Sequence, residues 1–277
     1  MLESRSATPR EISDIILNRM KTTFERMNIG LRKALEKRGS IYFSFTDVVF
    51  KYPWLCLYNM GLVLKAKLFN RAVIHVIGDS HVKPFVFKCP FLVHHISQAT
   101  AYNLDKDNSF SQSKRYLNSF LPEVNKERDI LLLVFGEIDA RVHIYSQYRK
   151  NSGKIGIERI IEATAGKYGE TIRRLKDDGF AICVHGIPPA AGEDFVSNLP
   201  FLGTMEQRSD ISSRFSSKLG EFCSQNCVPY IDVQSVSAGE NGFMKKQYVA
   251  DGVHLNGKIV PFVREVIIQA FKGSKSF

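Results

Sequence analysis

AVIHVIGDSH, residues 72–81, sets a short apolar run directly against Gly78, Asp79, Ser80 and His81. Val and Ile in so short a segment, closed by glycine, read as a fully buried strand of a parallel sheet. The Asp-Ser-His segment beyond the glycine has two readings. Ser and Asp are favoured where a strand gives way to a helix, because their oxygens accept the free N–H groups of the first turn. The same place is where a sheet would present a serine nucleophile, so the rest of the chain must decide.

Four more apolar runs follow, FLVHHI (91–96), DILLLVFG (129–136), FAICVHGI (180–187) and VPYIDV (228–233). Helical stretches at 158–177 and 204–226 lie between several of them. Apolar strands alternating with helices predict an α/β fold, a three-layer α/β/α sandwich around a mostly parallel, flavodoxin-like sheet. In open sheets of this kind ligands sit beyond the carboxyl ends of the strands. The residues to inspect are therefore Gly78–His81, Gly136–Arg141, Pro188–Pro189 and the loop carrying DGVHLN (251–256).

A nucleophilic serine needs a base within hydrogen-bond reach, and the base needs an acceptor that fixes its tautomer. Asp251 and His254 are three apart, a spacing that brings carboxylate and imidazole together in a turn. Glu137 and Arg141 are four apart and would share a face of a helix, as a surface pair or as a guanidinium turned to an anionic group. His75 and His185 fall inside strand candidates and read as core histidines, whereas His81 and His143 fall at the expected rim. Tyr102 and Asn103 read either as pocket wall or as packing. His94 and His95 have no further ligand at a usual metal spacing, and neither a metal nor any other cofactor is expected.

In order and position, Gly78-Asp79-Ser80, Gly136-x-x-Asp139 and Asp251-x-x-His254 resemble the blocks of the SGNH (GDSL-type) hydrolases. GDSH with GEIDAR resembles a bacterial subgroup of that family. The resemblance covers residues 72–270 and implies Ser80 as nucleophile, His254 as general base and Asp251 as its orienting acid. It also implies an oxyanion hole made of the Ser80 N–H, a second-block backbone N–H expected at Ser97, and an asparagine side chain in the third block. Here that third position is Ile138, which has no donor; a lost donor of this type costs about 10² to 10³ in kcat. His81, Glu137, Asp139 and Arg141 are the other candidates for oxyanion or substrate contacts. The implied reaction is hydrolysis of an acyl ester through an acyl-enzyme, with O-acetyl groups on carbohydrate as the first expectation. Acyl transfer uses the same residues, and a non-catalytic glycan- or membrane-surface-binding protein is the rival reading.

The 277 residues carry a net charge of +10 at pH 7, placed unevenly. Residues 1–71 hold 13 Lys and Arg against 6 Asp and Glu, whereas residues 72–277 hold 25 against 22. The expected division is a basic helical extension (1–71) and a hydrolase-like domain (72–277), the extension suited to an anionic surface. Thr8-Pro9-Arg10-Glu11 reads as a capping box opening an amphipathic helix that ends near Gly39. No specific nucleic-acid partner is expected. Five scattered cysteines, the lack of an apolar leader and an apolar run of only 13 residues at 52–64 point to reduced thiols. They also predict no transmembrane segment and a cytoplasmic address, if need be at the membrane periphery.

Overall fold

Each apolar run contributes one strand to a single parallel sheet. The computed structural model describes residues 53–191 and 200–277. The strands are β1 (Ile74–Gly78), β2 (Phe91–His95), β3 (Ile130–Val134), β4 (Ile182–His185) and β5 (Tyr230–Ile231), in the order β2-β1-β3-β4-β5. All neighbouring pairs are parallel. The observed strands are shorter than the apolar runs because most runs also cover residues flanking the ladder on both sides.

The strands are apolar on both faces because both are covered. Ile77, Leu131, Leu133, Ile182 and Val184 point to one side. There they meet helices α4 (Ile157–Asp177) and α5 (Met205–Gln225). Ile74, Val76, Ile130, Leu132 and Cys183 point to the other side and meet Val260, Val263 and Ile267 of α7 (Val260–Ala270). The three-layer α/β/α expectation holds on these two clusters. In α4 the buried Ile161, Thr164, Ala165, Tyr168, Ile172 and Leu175 recur every three or four residues, the stripe of a one-sided helix. Helix α5 begins with a reciprocal cap: Thr204 Oγ1 accepts the Gln207 N–H, and Gln207 Oε1 accepts the Thr204 N–H.

Shorter helices among the described residues are α2 (Ser113–Phe120), α3 (Ile144–Lys150) and α6 (Val233–Ser237). Helix α1 (Pro53–Leu68) lies in the segment for which the sequence offers no clear periodicity. Its sequence shows no apolar stripe at helical spacing, so no helical rhythm marks it. By contacts the chain forms two units, Met1–Tyr58 and Asn59–Phe277. The helix expected after Thr8 and the basic surface assigned to residues 1–71 lie largely outside the described residues. Among the described residues no helix is long and apolar enough to cross a membrane.

The sheet order fixes where a site can form. From β1 the chain moves outward to β2 and then returns across β1 to β3, so the order reverses between β1 and β3. The loops after these two strands diverge and leave a crevice. They are the Gly78–His81 and Gly136–Arg141 segments.

Candidate active site

Beyond Gly78 the chain turns at once into a 3-10 helix, Ser80–Phe85, and Asp79 caps it by accepting the His81 N–H at 2.9 Å. Ser80 therefore occupies the first helical position, at the mouth of the crevice. The capping reading of the Gly-Asp-Ser segment is correct, and it belongs to Asp79; Ser80 Oγ is directed elsewhere.

Its partner arrives from the far end of the chain. Ser80 Oγ lies 2.7 Å from His254 Nε2, and His254 Nδ1 lies 2.6 Å from Asp251 Oδ1. Asp251 Oδ1 also accepts the His254 backbone N–H at 3.1 Å, so one oxygen fixes the turn and the ring together. The turn closes where the Ala250 N–H donates to the His254 carbonyl at 2.9 Å, with Gly252 at φ 82°, a conformation that favours glycine. Asn256 pins the same loop by donating from its side-chain amide to the carbonyls of Gln247 and Val249.

The electrostatics suit a base that is neutral at rest. Burial holds His254 below the ordinary imidazole value, His81 and Lys83 add to this, and Asp251 opposes it. For Asp251, burial pushes upward, but its bonds to His254 and the charges of His254 and Lys83 prevail and hold the carboxyl low. With Nδ1–H directed to Asp251, Nε2 presents its lone pair to the Ser80 hydroxyl.

The other expected contacts take different positions. Beyond β3 the helix opening at Glu137 contains a π-type turn, Asp139–His143. Asp139 is fully buried and accepts backbone N–H groups from Ala101 at 2.6 Å and Tyr102 at 3.1 Å. Both carboxylate oxygens thus hold the loop after β2. Arg141 donates from Nε and Nη2 to the two oxygens of Glu137, at 2.6 and 3.2 Å, and its guanidinium lies over Phe201. The pair is buried, not an exposed surface pair. Ile138 is buried, so the third-block position is filled by an apolar side chain.

His81 is not at the rim. It is buried beneath the relay, with Asp79 and the Val253 carbonyl at its two ring nitrogens. His75 and His185 are buried, as expected. His94 Nε2 lies 3.0 Å from His75 Nδ1, and the two rings stack. Tyr102 packs on His143, and the Asn103 side chain donates to Thr100. In the loop after β2, Ser97 is exposed, while the left-handed backbone falls at Gln98, φ 54°. A cleft between Glu137, Arg141, Pro188, Pro189, Phe201 and Val253 adjoins the relay.

Asp139 makes a test of the loop anchor. Burial, aided by the charge of Asp79, raises its pKa to about 7 against the pull of the Ala101 and Tyr102 N–H groups. The folded protein then keeps a proton that the unfolded chain releases near its ordinary value, so this group's contribution to stability falls as pH rises from about 4 to about 7. In Asp139→Asn that slope disappears. The urea stability of the variant relative to the parent should improve with rising pH over this window, by about 1.4 kcal/mol per unit at most. A difference that is flat with pH would mean that Asp139 is ionised throughout.

An open parallel sheet in this order carries a serine directly after β1 and an Asp-x-x-His turn ahead of the last helix. At the level of sequence, neither a protein-family model nor a curated protein matches the chain. Among solved structures, a GDSL-like lipase from Bacteroides thetaiotaomicron is similar, with 16% identity over 78% of this chain and 97% of its own, at TM-score 0.47. An acetyl xylan esterase shares 16% identity over 72% of this chain and 99% of its own, at TM-score 0.43. A phospholipase A1 from Streptomyces albidoflavus shares 12% identity over 70% of this chain and 98% of its own, also at TM-score 0.43.

Proposed function

We propose that the protein is a serine-dependent ester hydrolase of the SGNH type, in the subgroup marked by GDSH and GEID. The observation that carries this reading is the Ser80–His254–Asp251 relay, with 2.7 Å between Ser80 and His254, 174 positions apart, and 2.6 Å between His254 and Asp251. Ser80 attacks the ester carbonyl as His254 takes its proton. The tetrahedral oxyanion collapses, the alcohol leaves with the proton from His254, and water activated by the same imidazole releases the acid. Asp251 holds the tautomer and offsets the transient imidazolium.

With Ile138 in the third block, the oxyanion is assigned to backbone N–H groups, those of Ser80 and of the Ser97–Gln98 segment. Arg141 is assigned to fixing Glu137 and lining the cleft, because its Nε and Nη2 already serve that carboxylate. Small O-acyl groups on carbohydrate are the first substrate class to assay.

A fluorophosphonate probe tests the reading. Ser80 is the residue expected to be modified, identified by peptide mass spectrometry, with labelling lost in His254→Ala. A different labelled serine, or no labelling where a known serine esterase reacts fully, would reject Ser80 as the nucleophile.

A further inference from the structure

His81 stands outside the relay yet lies against it. Its ring centroid is 4.6 Å from that of His254, at an interplanar angle of 40°. Its Nδ1 lies 3.1 Å from Asp79 Oδ1 and 4.0 Å from Glu137 Oε2, and its Nε2 lies 3.3 Å from the Val253 carbonyl oxygen. A neutral imidazole has one N–H and one lone pair, so with an oxygen at each nitrogen it must turn a lone pair toward one of them. Only the imidazolium donates to both. The side chain is 3% exposed, which leaves little room for water to relieve a mismatch.

We propose that His81 is held as an imidazolium and serves as a positioning residue, tying the nucleophile turn to the His254 turn and setting a fixed positive charge against the general base. The catalytic consequence rests on the ester-hydrolase reading; the protonation state does not.

The mechanical part comes from where the bonds end. Asp79 precedes Ser80 and Val253 precedes His254, so one ring joins the residues adjacent to the two halves of the relay across 172 positions of sequence. The Ser80–His254 contact and the exposed Lys83–Asp251 pair also link these two segments.

The electrostatic part comes from the groups around the ring. Asp79 and Glu137 face it with negative charge, and Arg141 balances Glu137 from the other side. His254 faces it across the crevice, flanked by Asp251 and Lys83. His185 lies beneath, and burial brings its pKa down to about 4, so it is neutral near pH 7. Burial opposes a charge on His81 as well, yet Asp79, Glu137 and the Val253 carbonyl together raise its pKa. A cation beside His254 disfavours a second positive charge there. The base thus stays available at lower pH, and once protonated it yields its proton more readily to the departing alkoxide.

Nitrogen-15 NMR of the histidines in the intact chain tests this directly. The expected result is two protonated ring nitrogens at His81 at pH 7.5 in the parent protein, a measurement that needs no variant. In His81→Gln and His81→Phe the His254 titration midpoint should rise by about one pH unit. The acid limb of the kcat/KM profile should move by the same amount. A singly protonated His81 at pH 7.5, or an unmoved His254 midpoint in both variants, would overturn the proposal. If the midpoint moves while Ser80 resists fluorophosphonate, the ester reading fails and the assignment of His81 stands.

Discussion

Ser80→Ala is expected to lower kcat on an aryl acetate by about 10⁴-fold or more, with KM and thermal stability little changed. The hydroxyl is the only group lost, and its one described bond is to His254 Nε2, so the fold has little at stake in it. His254→Ala should cost about as much, and the double variant little more, because nucleophile and base act as one unit. Asp251→Ala should cost less. Its side chain is 52% exposed, so water can accept the Nδ1 proton in its place, although ring orientation would suffer. The residual rate in Ser80→Ala measures what the crevice does without the relay. If Ser80→Ala retains most of the parent kcat, the contact between Ser80 and His254 is incidental. The non-catalytic reading, which Ile138 favours, would then be the stronger one.

How far this site was legible in the sequence differs from residue to residue. Strand runs such as ILLLV in β3 are unambiguous because burial on both faces leaves no polar position to confuse the period. The relay residues are visible because each sits in a short block just beyond a strand or ahead of the last helix. What spacing cannot give is the direction in which a side chain turns. His81 is adjacent to Ser80 and reads as a rim residue, yet the 3-10 turn sends it inward while Ser80 faces the crevice. Asp139 looks like a substrate contact by its place in the third block, but the π-type turn carries it beneath the β2 loop. Gln98 gives no signal at all in the sequence, because its distinguishing feature is a positive φ in a residue other than glycine. Helix α1 is missed for a different reason, as its sequence shows no apolar stripe at helical spacing, the period by which helices are read.

Gly78→Ala is expected to be strongly damaging, for stability and for catalysis alike. A Cβ on Gly78 would lie 2.1 Å from the Val134 carbonyl oxygen and 2.8 Å from its Cβ. The obstacle is backbone at the carboxyl end of the β1–β3 ladder, not the end of a flexible side chain, so it can be relieved only by parting the two strands there. That carbonyl is also the acceptor of the Asp79 N–H at 3.2 Å, and the Gly78 carbonyl in turn accepts the Ile96 N–H at 2.7 Å. Separating the strands therefore disturbs the bonds that hold Asp79 and the start of the β2 loop. The cost should be about 3 kcal/mol or more, which for a unit of this size lowers Tm by roughly 6 to 12 °C. Because Asp79 leads directly into Ser80, Ser80 moves with it, and on the ester-hydrolase proposal a displacement of about 1 Å costs on the order of 10² in kcat. Val134→Ala should fail to rescue the variant, since the nearest clash is with a carbonyl oxygen that every residue carries. Thermal unfolding, and kcat measured well below the new Tm, would separate the two effects. An unchanged Tm would mean that β1 and β3 can part at Gly78 without cost, and an unchanged kcat in a destabilised variant would mean that the Ser80 turn is held from the His254 side alone.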